Sequence, residues 1–340
     1  MLYFDSDYRE GAHPELLARL GEENWEPMPG YSEDPICERA REKIRAACGC
    51  PEGEIYFLTG GTQTNAVVIR ALLRLYEGVI AADTGHIATH EAGAIEAGGH
   101  KVIPLPEHAG KLDPGEVADC LAAFQADPNR AHTVKPGMVY LSHPTEYGAL
   151  YTREELEALH QVCQSYHVPL YLDGARLGYA LAVPGSDVTL PVLAQTCDVF
   201  YIGGTKVGAM FGEAVVFPRP LADQFFTVMK QSGALLAKGR YLGIQFDALF
   251  SNDLYLRCGQ AGIQAADRLR AAFRRKGYQF YVDSPTNQLF VVLDRRRLAA
   301  LRDKVSFAHW RALDDGRAVV RFATSWATRP QDVDALIALL

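Results

Sequence analysis

The sequence has no run of about 18 uninterrupted apolar residues, so nothing in it reads as a bilayer-spanning helix. It lacks a basic-then-apolar opening, since the first residues carry acids at Asp5 and Asp7, and it does not read as a signal peptide. Positive charge is short. Lys and Arg number 34 against 41 Asp and Glu, a net of −7, which argues against a phosphate-backbone partner and so against nucleic-acid binding. Repeats and low-complexity tracts are absent. At 48% hydrophobic and 22% charged residues the composition excludes disorder, collagen and a coiled-coil rod. Cysteines number seven, an odd and scattered set in which only Cys48 and Cys50 lie close. A zinc knuckle would need a second pair. The set reads as free thiols in a reducing cytoplasm, with the close pair serving as small buried apolar residues. Neither a dinucleotide GxGxxG nor a P-loop is present.

What the sequence does have is alternation. Short apolar, β-branched runs at 55–58, 78–81, 101–104, 138–141, 169–172, 199–202 and 214–217 are separated by stretches of helical periodicity, such as 63–75 and 153–167. That order predicts an α/β domain with a mostly parallel, seven-stranded sheet covered on both faces, with ligands at the carboxyl ends of its strands. Near residue 250 the pattern changes. A helix over 252–276, strands at 278–282, 289–293 and 319–323, and a helix over 330–340 predict a small C-terminal α+β domain. Residues 1–30 read as an arm with one helix (14–24), residues 31–250 as the large domain and 251–340 as the small one. The total of 340 residues suits that division.

Four segments sit where strands end. Thr59-Gly60-Gly61-Thr62-Gln63-Thr64-Asn65 opens a helix. Thr62 is placed to cap it, and its free N–H groups and dipole favour an anion. In isolation the segment reads more readily as a plain glycine turn with an N-cap than as a phosphate cradle. Tyr171-Leu172-Asp173-Gly174-Ala175-Arg176 puts a carboxylate at the end of a very apolar strand, where it needs a cation, either Arg176 or a ligand's ring nitrogen. Gly203-Gly204-Thr205-Lys206 ends the next strand with a lysine that has little room to reach solvent, so desolvation lowers its pKa and makes it a nucleophile. Thr84-Gly85-His86-Ile87-Ala88-Thr89-His90-Glu91 places two histidines four apart, as ring-stacking or core residues. A zinc site would need a third ligand, and none is evident from the spacing. An anion seat, an aromatic ring, an acid for a ring nitrogen and an amine for a carbonyl carbon together match pyridoxal 5'-phosphate.

On these motifs the chain resembles the threonine aldolase / β-eliminating lyase family of fold-type I pyridoxal-phosphate enzymes, nearly end to end. Further markers are Phe4-Asp5-Ser6-Asp7-Tyr8, Gly11-Ala12-His13-Pro14, Tyr31-Ser32-Glu33-Asp34, Glu91-Ala92-Gly93-Ala94, Thr145-Glu146-Tyr147-Gly148 and Arg321 with Thr324-Ser325-Trp326. The resemblance implies that Lys206 carries the cofactor as a Schiff base, Asp173 keeps the pyridine nitrogen protonated and His86 stacks on the ring. Gly61, Thr62 and Gln63 would bind the phosphate, and Ser6, Arg176 and Arg321 the substrate carboxylate. It also implies a homo-oligomer, a dimer or homotetramer with active sites at a dimer interface. Tyr31 would reach the neighbour's site, and Lys238 or Arg240 its phosphate.

Two positions depart from the family pattern. Thr145-Glu146-Tyr147 replaces the common Thr-His-Asn, and Thr205-Lys206-Val207 replaces Ser-Lys-Gly. The base at the substrate's β-hydroxyl is then Glu146, His86 or a held water. The implied reaction is cleavage of L-threonine, L-allo-threonine or another β-hydroxy-α-amino acid to glycine and an aldehyde. β-Elimination from a cysteine- or serine-like substrate is the nearest alternative. A non-catalytic small-molecule binder on the same scaffold is a third reading.

Overall fold

Strands that are apolar on both faces must be covered on both faces, and seven such strands build the main sheet. The computed structural model describes residues 1–340. Across the sheet the strands run Glu54–Leu58, Glu213–Phe217, Val199–Gly203, Leu170–Asp173, Lys135–Ser142, Glu77–Ala82 and Val102–Leu105. All seven predicted runs are there. Only Glu213–Phe217 is antiparallel to its neighbours, because the return from Gly203 is too short to hold a crossover helix.

Period-two alternation divides the side chains between two cores. Ile80, Val139, Leu141, Leu170, Leu172, Phe200 and Ile202 enter one. Val79, Met138, Tyr140, Tyr171, Val199 and Tyr201 enter the other. The second set includes three fully buried tyrosines near the carboxyl ends of adjacent strands. Helices Gly61–Leu72 and Arg153–Tyr166 form close to their expected bounds, the latter with a Thr152/Glu155 capping box.

A second sheet, four-stranded and antiparallel, orders Ala308–Ala312, Ala318–Ala323, Gln288–Leu293 and Gln279–Val282. One of its faces packs into a core with Leu269 and Phe273 of helix Leu254–Arg275 and Leu336 of helix Pro330–Leu339. The chain's beginning joins this region. Leu2–Tyr3 pairs in parallel with Val305–Ser306, Phe4 enters the same core, and the Ala323 N–H donates to Phe4 O at 2.7 Å.

Among the elements outside the sequence expectation, three bear on the layout of the site. Helix Pro35–Cys48 interleaves charged residues with small apolar ones and starts from an Asp34 cap. Helix Arg240–Leu249 is buried along almost its whole length, which blurs its periodicity. Strand Ala308–Ala312 is a partly exposed edge with a register shift at Trp310. No helix is long and apolar enough to cross a membrane.

Candidate active site

The carboxyl ends of strands 54–58, 199–203, 170–173, 135–142 and 77–82 lie along one edge of the main sheet, facing the small sheet. A cleft there has an outer part of about 330 Å³ and a small inner part of about 50 Å³, and His86, Glu146, Arg176 and Lys206 line both. Tyr8, His90, Gln288, His309, Trp310 and Arg321 complete the outer part. Gly61, Ser142, Asp173 and Tyr201 belong to the inner one.

Asp173 ends its strand with its carboxylate fully engaged. Tyr201 OH donates to Oδ1 at 2.5 Å, the Ala175 N–H to Oδ1 at 2.9 Å, Tyr140 OH to Oδ2 at 2.7 Å and Asn65 Nδ2 to Oδ2 at 3.0 Å. Burial pushes this carboxyl up. The neighbouring His86 and the donors Tyr201, Asn65 and Tyr140 outweigh it and hold the group below the usual carboxylate value. Of the two partners the sequence offers it, Arg176 turns away. That guanidinium grips buried Asp7 through two bonds, Nε to Oδ2 at 2.6 Å and Nη2 to Oδ1 at 3.0 Å. Asp173 is thus stabilised by oriented hydroxyls and an amide.

Lys206 lies in the turn after strand Val199–Gly203. Gly203 and Gly174 are required there, because a Cβ on either would collide with the backbone oxygen of Ala175 or Tyr201. Burial and then the Arg176 charge lower the Lys206 pKa, partly offset by Asp7, Asp173 and Glu213. Burial raises Glu213, whose carboxyl accepts from the Gly204 N–H at 3.0 Å and Thr205 Oγ1 at 2.8 Å. The desolvated amine expected from the sequence is present.

The helix opened by the glycine segment starts at Gly61 with Gly60 as its N-cap, and no side chain caps it. Thr62 lies inside the first turn and is not the cap, a correction to the sequence reading. Gln63 Oε1 instead accepts from Thr59 Oγ1 at 2.7 Å and so ties the loop. The first-turn N–H groups of Gly61, Thr62 and Gln63 have no acceptor within the helix and are open to an anion. A Cβ on Gly61 would stand 3.1 Å from Tyr201 OH.

His86 and His90 stack with centroids 5.7 Å apart and planes at 21°, and His90 stacks on Trp310 at 6.3 Å and 15°. His86 Nδ1 is 2.8 Å from Glu91 Oε1, which also accepts from Asn65 at 2.7 Å. Donor atoms of His86, Glu91 and Asp173 consequently lie within 4.8 Å of one another, gathered by Asn65. Glu146 is half-buried. Its Oε1 accepts from the His86 N–H at 2.8 Å and from Ser142 Oγ at 2.6 Å, while Oε2 has no partner. Burial, with Asp173 adding to it, raises the Glu146 carboxyl against the opposing effects of Ser142 and His86.

Arg321 alternates with Val320 and Phe322, which face the small-sheet core, and therefore points with Phe290 to the cleft side. It donates to Gln288 Oε1 and to Asp5 O, both at 3.0 Å, and its buried Nε has no partner. Desolvation and the facing Arg176 lower it to about 10. Two half-buried guanidiniums with unused N–H groups make an anion seat.

Two residues expected to hold substrate, Ser6 and Tyr31, are not brought to this cleft. Ser6 Oγ accepts from the Tyr8 N–H at 3.4 Å, a turn contact. Tyr31 is 41% exposed and lines a separate groove with Phe226 and Met229. Its N–H donates to Ala237 O at 3.0 Å, which puts it beside Lys238 and the Arg240 turn. Sequence reasoning assigned no role to Asp7, Asn65, Tyr140, Ser142, Tyr201 or Trp310. Asp7 stood inside a family marker. The tyrosines share one strand parity with Asp173, and that was the available signal.

The donor set fits pyridoxal phosphate: open first-turn N–H groups for a phosphate, an ionised buried carboxylate for a ring nitrogen and a desolvated amine. Comparisons agree. The family model described as beta-eliminating lyase matches residues 26–299. A Pseudomonas aeruginosa protein named low specificity L-threonine aldolase is 32% identical over 96% of this chain and 93% of its own length. A Leishmania major threonine aldolase structure superposes with a TM-score of 0.96 at 38% identity, covering 100% of this chain and 98% of that one. An aspartate aminotransferase from Thermus thermophilus, 18% identical, shares the fold with a TM-score of 0.71 over 100% of this chain and 90% of its own. By sequence and by fold this chain belongs to the beta-eliminating lyase family, whose enzymes are lyases dependent on pyridoxal phosphate.

Proposed function

We propose that this chain cleaves L-threonine, L-allo-threonine or a related β-hydroxy-α-amino acid to glycine and an aldehyde. The observation that carries this reading is one cleft in which an amine, an ionised carboxylate, two guanidiniums and a half-satisfied carboxyl converge. The aldolase names of its full-length relatives support it.

Lys206 would hold the cofactor's carbonyl carbon, Asp173 its ring nitrogen, the Gly61–Gln63 N–H groups its phosphate, and His86 would lie against the ring. When bound, pyridoxal phosphate supplies an electron-accepting ring that stabilises the charge left on the α-carbon. Arg176 and Arg321 receive the substrate carboxylate on their unused N–H groups and so orient the Cα–Cβ bond. Glu146 Oε2 takes the β-hydroxyl proton. The carbonyl of the aldehyde then forms as the Cα–Cβ bond breaks, and a proton returned to the α-carbon gives glycine. A carboxyl raised by burial suits that exchange, because its affinity for a proton lies closer to the working pH.

The wider organisation proposed is an arm (1–30), a cofactor-binding domain (31–250) and a small domain (251–340), assembled as a homo-oligomer in the cytosol. Seven unpaired cysteines support the reducing compartment. The exposed Tyr31 groove, beside Lys238 and Arg240, supports an assembly in which those residues serve a neighbouring site.

The test is product analysis. Purified protein with pyridoxal phosphate and L-threonine should release glycine and acetaldehyde in equal amounts. Release of a keto acid and ammonia without glycine would replace this reading with β-elimination.

A further inference from the structure

Three carboxyls gather around the inner cleft, Glu91 and Asp173 buried and Glu146 half-buried with its Oε2 out of solvent, and a circuit of contacts joins them. From Asp173 it runs through the Asn65 amide to Glu91, then to the His86 ring and, by the His86 N–H, to Glu146. Tyr171 OH donates to Asn65 Oδ1 at 2.7 Å, which turns the amide's N–H groups toward the two carboxylates. The return path is shorter. Ser142 Oγ lies 2.6 Å from Glu146 Oε1 and 3.2 Å from Tyr140 OH, and Tyr140 donates to Asp173 Oδ2 at 2.7 Å.

The strand produces this path. Tyr140 and Ser142 are two residues apart and share a face, and Ser142 pairs in register with Asp173. A serine hydroxyl has one proton and contacts two groups here. With Glu146 ionised, Ser142 donates to Glu146, and nothing donates to Tyr140. With Glu146 protonated, Glu146 donates to Ser142, Ser142 to Tyr140 and Tyr140 to Asp173. Every hydroxyl then points toward the Asp173 charge, and such aligned chains reinforce themselves.

We propose that Ser142 is a positioning residue that couples the proton on Glu146 to the charge on Asp173 through Tyr140. Resting on the function proposed above, this means that a β-hydroxyl proton taken up by Glu146 strengthens the hold on the ionised carboxylate at the opposite end of the site. The other charged groups facing Glu146 are His86, Arg176 and Lys206, with Glu91 behind His86.

The test is an infrared pH titration of the buried carboxyl band in the full-length protein with cofactor bound, the band being assigned by its loss in Glu146→Gln. Ser142→Ala should raise the Glu146 midpoint by about one pH unit, the scale of one hydrogen bond to a charged group. Ser142→Thr should restore it, and Ser142→Cys, a weaker donor, should move it in the same direction as Ala. Tyr140→Phe should lower the midpoint with Ser142 present and leave it unmoved in the Ser142→Ala background. An unmoved midpoint in both Ser142→Ala and Ser142→Cys overturns the coupling. So does a Tyr140→Phe shift of equal size in both backgrounds, which a through-space effect would give. A protein that shows this cycle but makes no glycine from threonine keeps the coupling and loses the substrate assignment.

Discussion

Asp7 is buried to 1% exposure and meets Arg176 through two bonds and Asn287 Nδ2 through a third at 2.9 Å. Burial works against its charge, but Arg176, Lys206 and Arg321 outweigh it and hold Asp7 well below the usual carboxylate range. A carboxyl depressed on folding stabilises the native state fully above its unfolded value, about pH 4, and that contribution is lost as the pH falls below it. Removing one member of a buried pair leaves the other uncompensated. Asp7→Ala should therefore cost about 3–5 kcal/mol in urea unfolding at neutral pH, and the gap to wild type should narrow at pH 3. A gap that is constant with pH would mean that Asp7 acts through packing alone. The residue also fixes the angle of Arg176, so KM for the amino acid should rise in the same variant.

At the scale of elements, the helix Gly61–Leu72 is tuned against its own stability. Alanine at position 61 favours a helix by about 0.5–1 kcal/mol over glycine. Its Cβ would press on Tyr201 OH, which donates to Asp173. Gly61→Ala should leave the cofactor-free melting temperature equal or higher while weakening pyridoxal-phosphate binding several-fold by fluorescence titration. Unchanged binding would remove this helix start from the cofactor seat. Elements whose environment is uniform were legible in the sequence. Strands such as Lys135–Ser142 and Leu170–Asp173 are buried on both faces and show as apolar runs. Lys206 and Asp173 were legible because a charge at the end of such a run has few other reasons to be there. Helix Pro35–Cys48 and strand Ala308–Ala312 were not, because their polar faces are wide. The Asp7–Arg176 pair was hidden for another reason. Its members lie 169 residues apart, and no local pattern encodes such a contact.

For the whole molecule, the groove holding Tyr31 lies outside the cleft that holds Lys206, so the two residues serve one chemistry only if subunits share sites. Coexpressed Lys206→Ala and Tyr31→Ala subunits should form mixed oligomers with activity that neither parent has. Two inactive parents that stay inactive when mixed would confine each site to a single chain. The amino-terminal segment has a practical importance of its own. Within a few residues Leu2–Tyr3 joins a strand, Asp5 O accepts from Arg321 and Asp7 clamps Arg176, while Met1 stays 66% exposed. An affinity tag appended ahead of Met1 would extend into solvent. A protease that trims the first eight residues would release both Arg176 and Arg321, the proposed grip on the substrate carboxylate, and should abolish activity without cutting any of the strands that line the cleft.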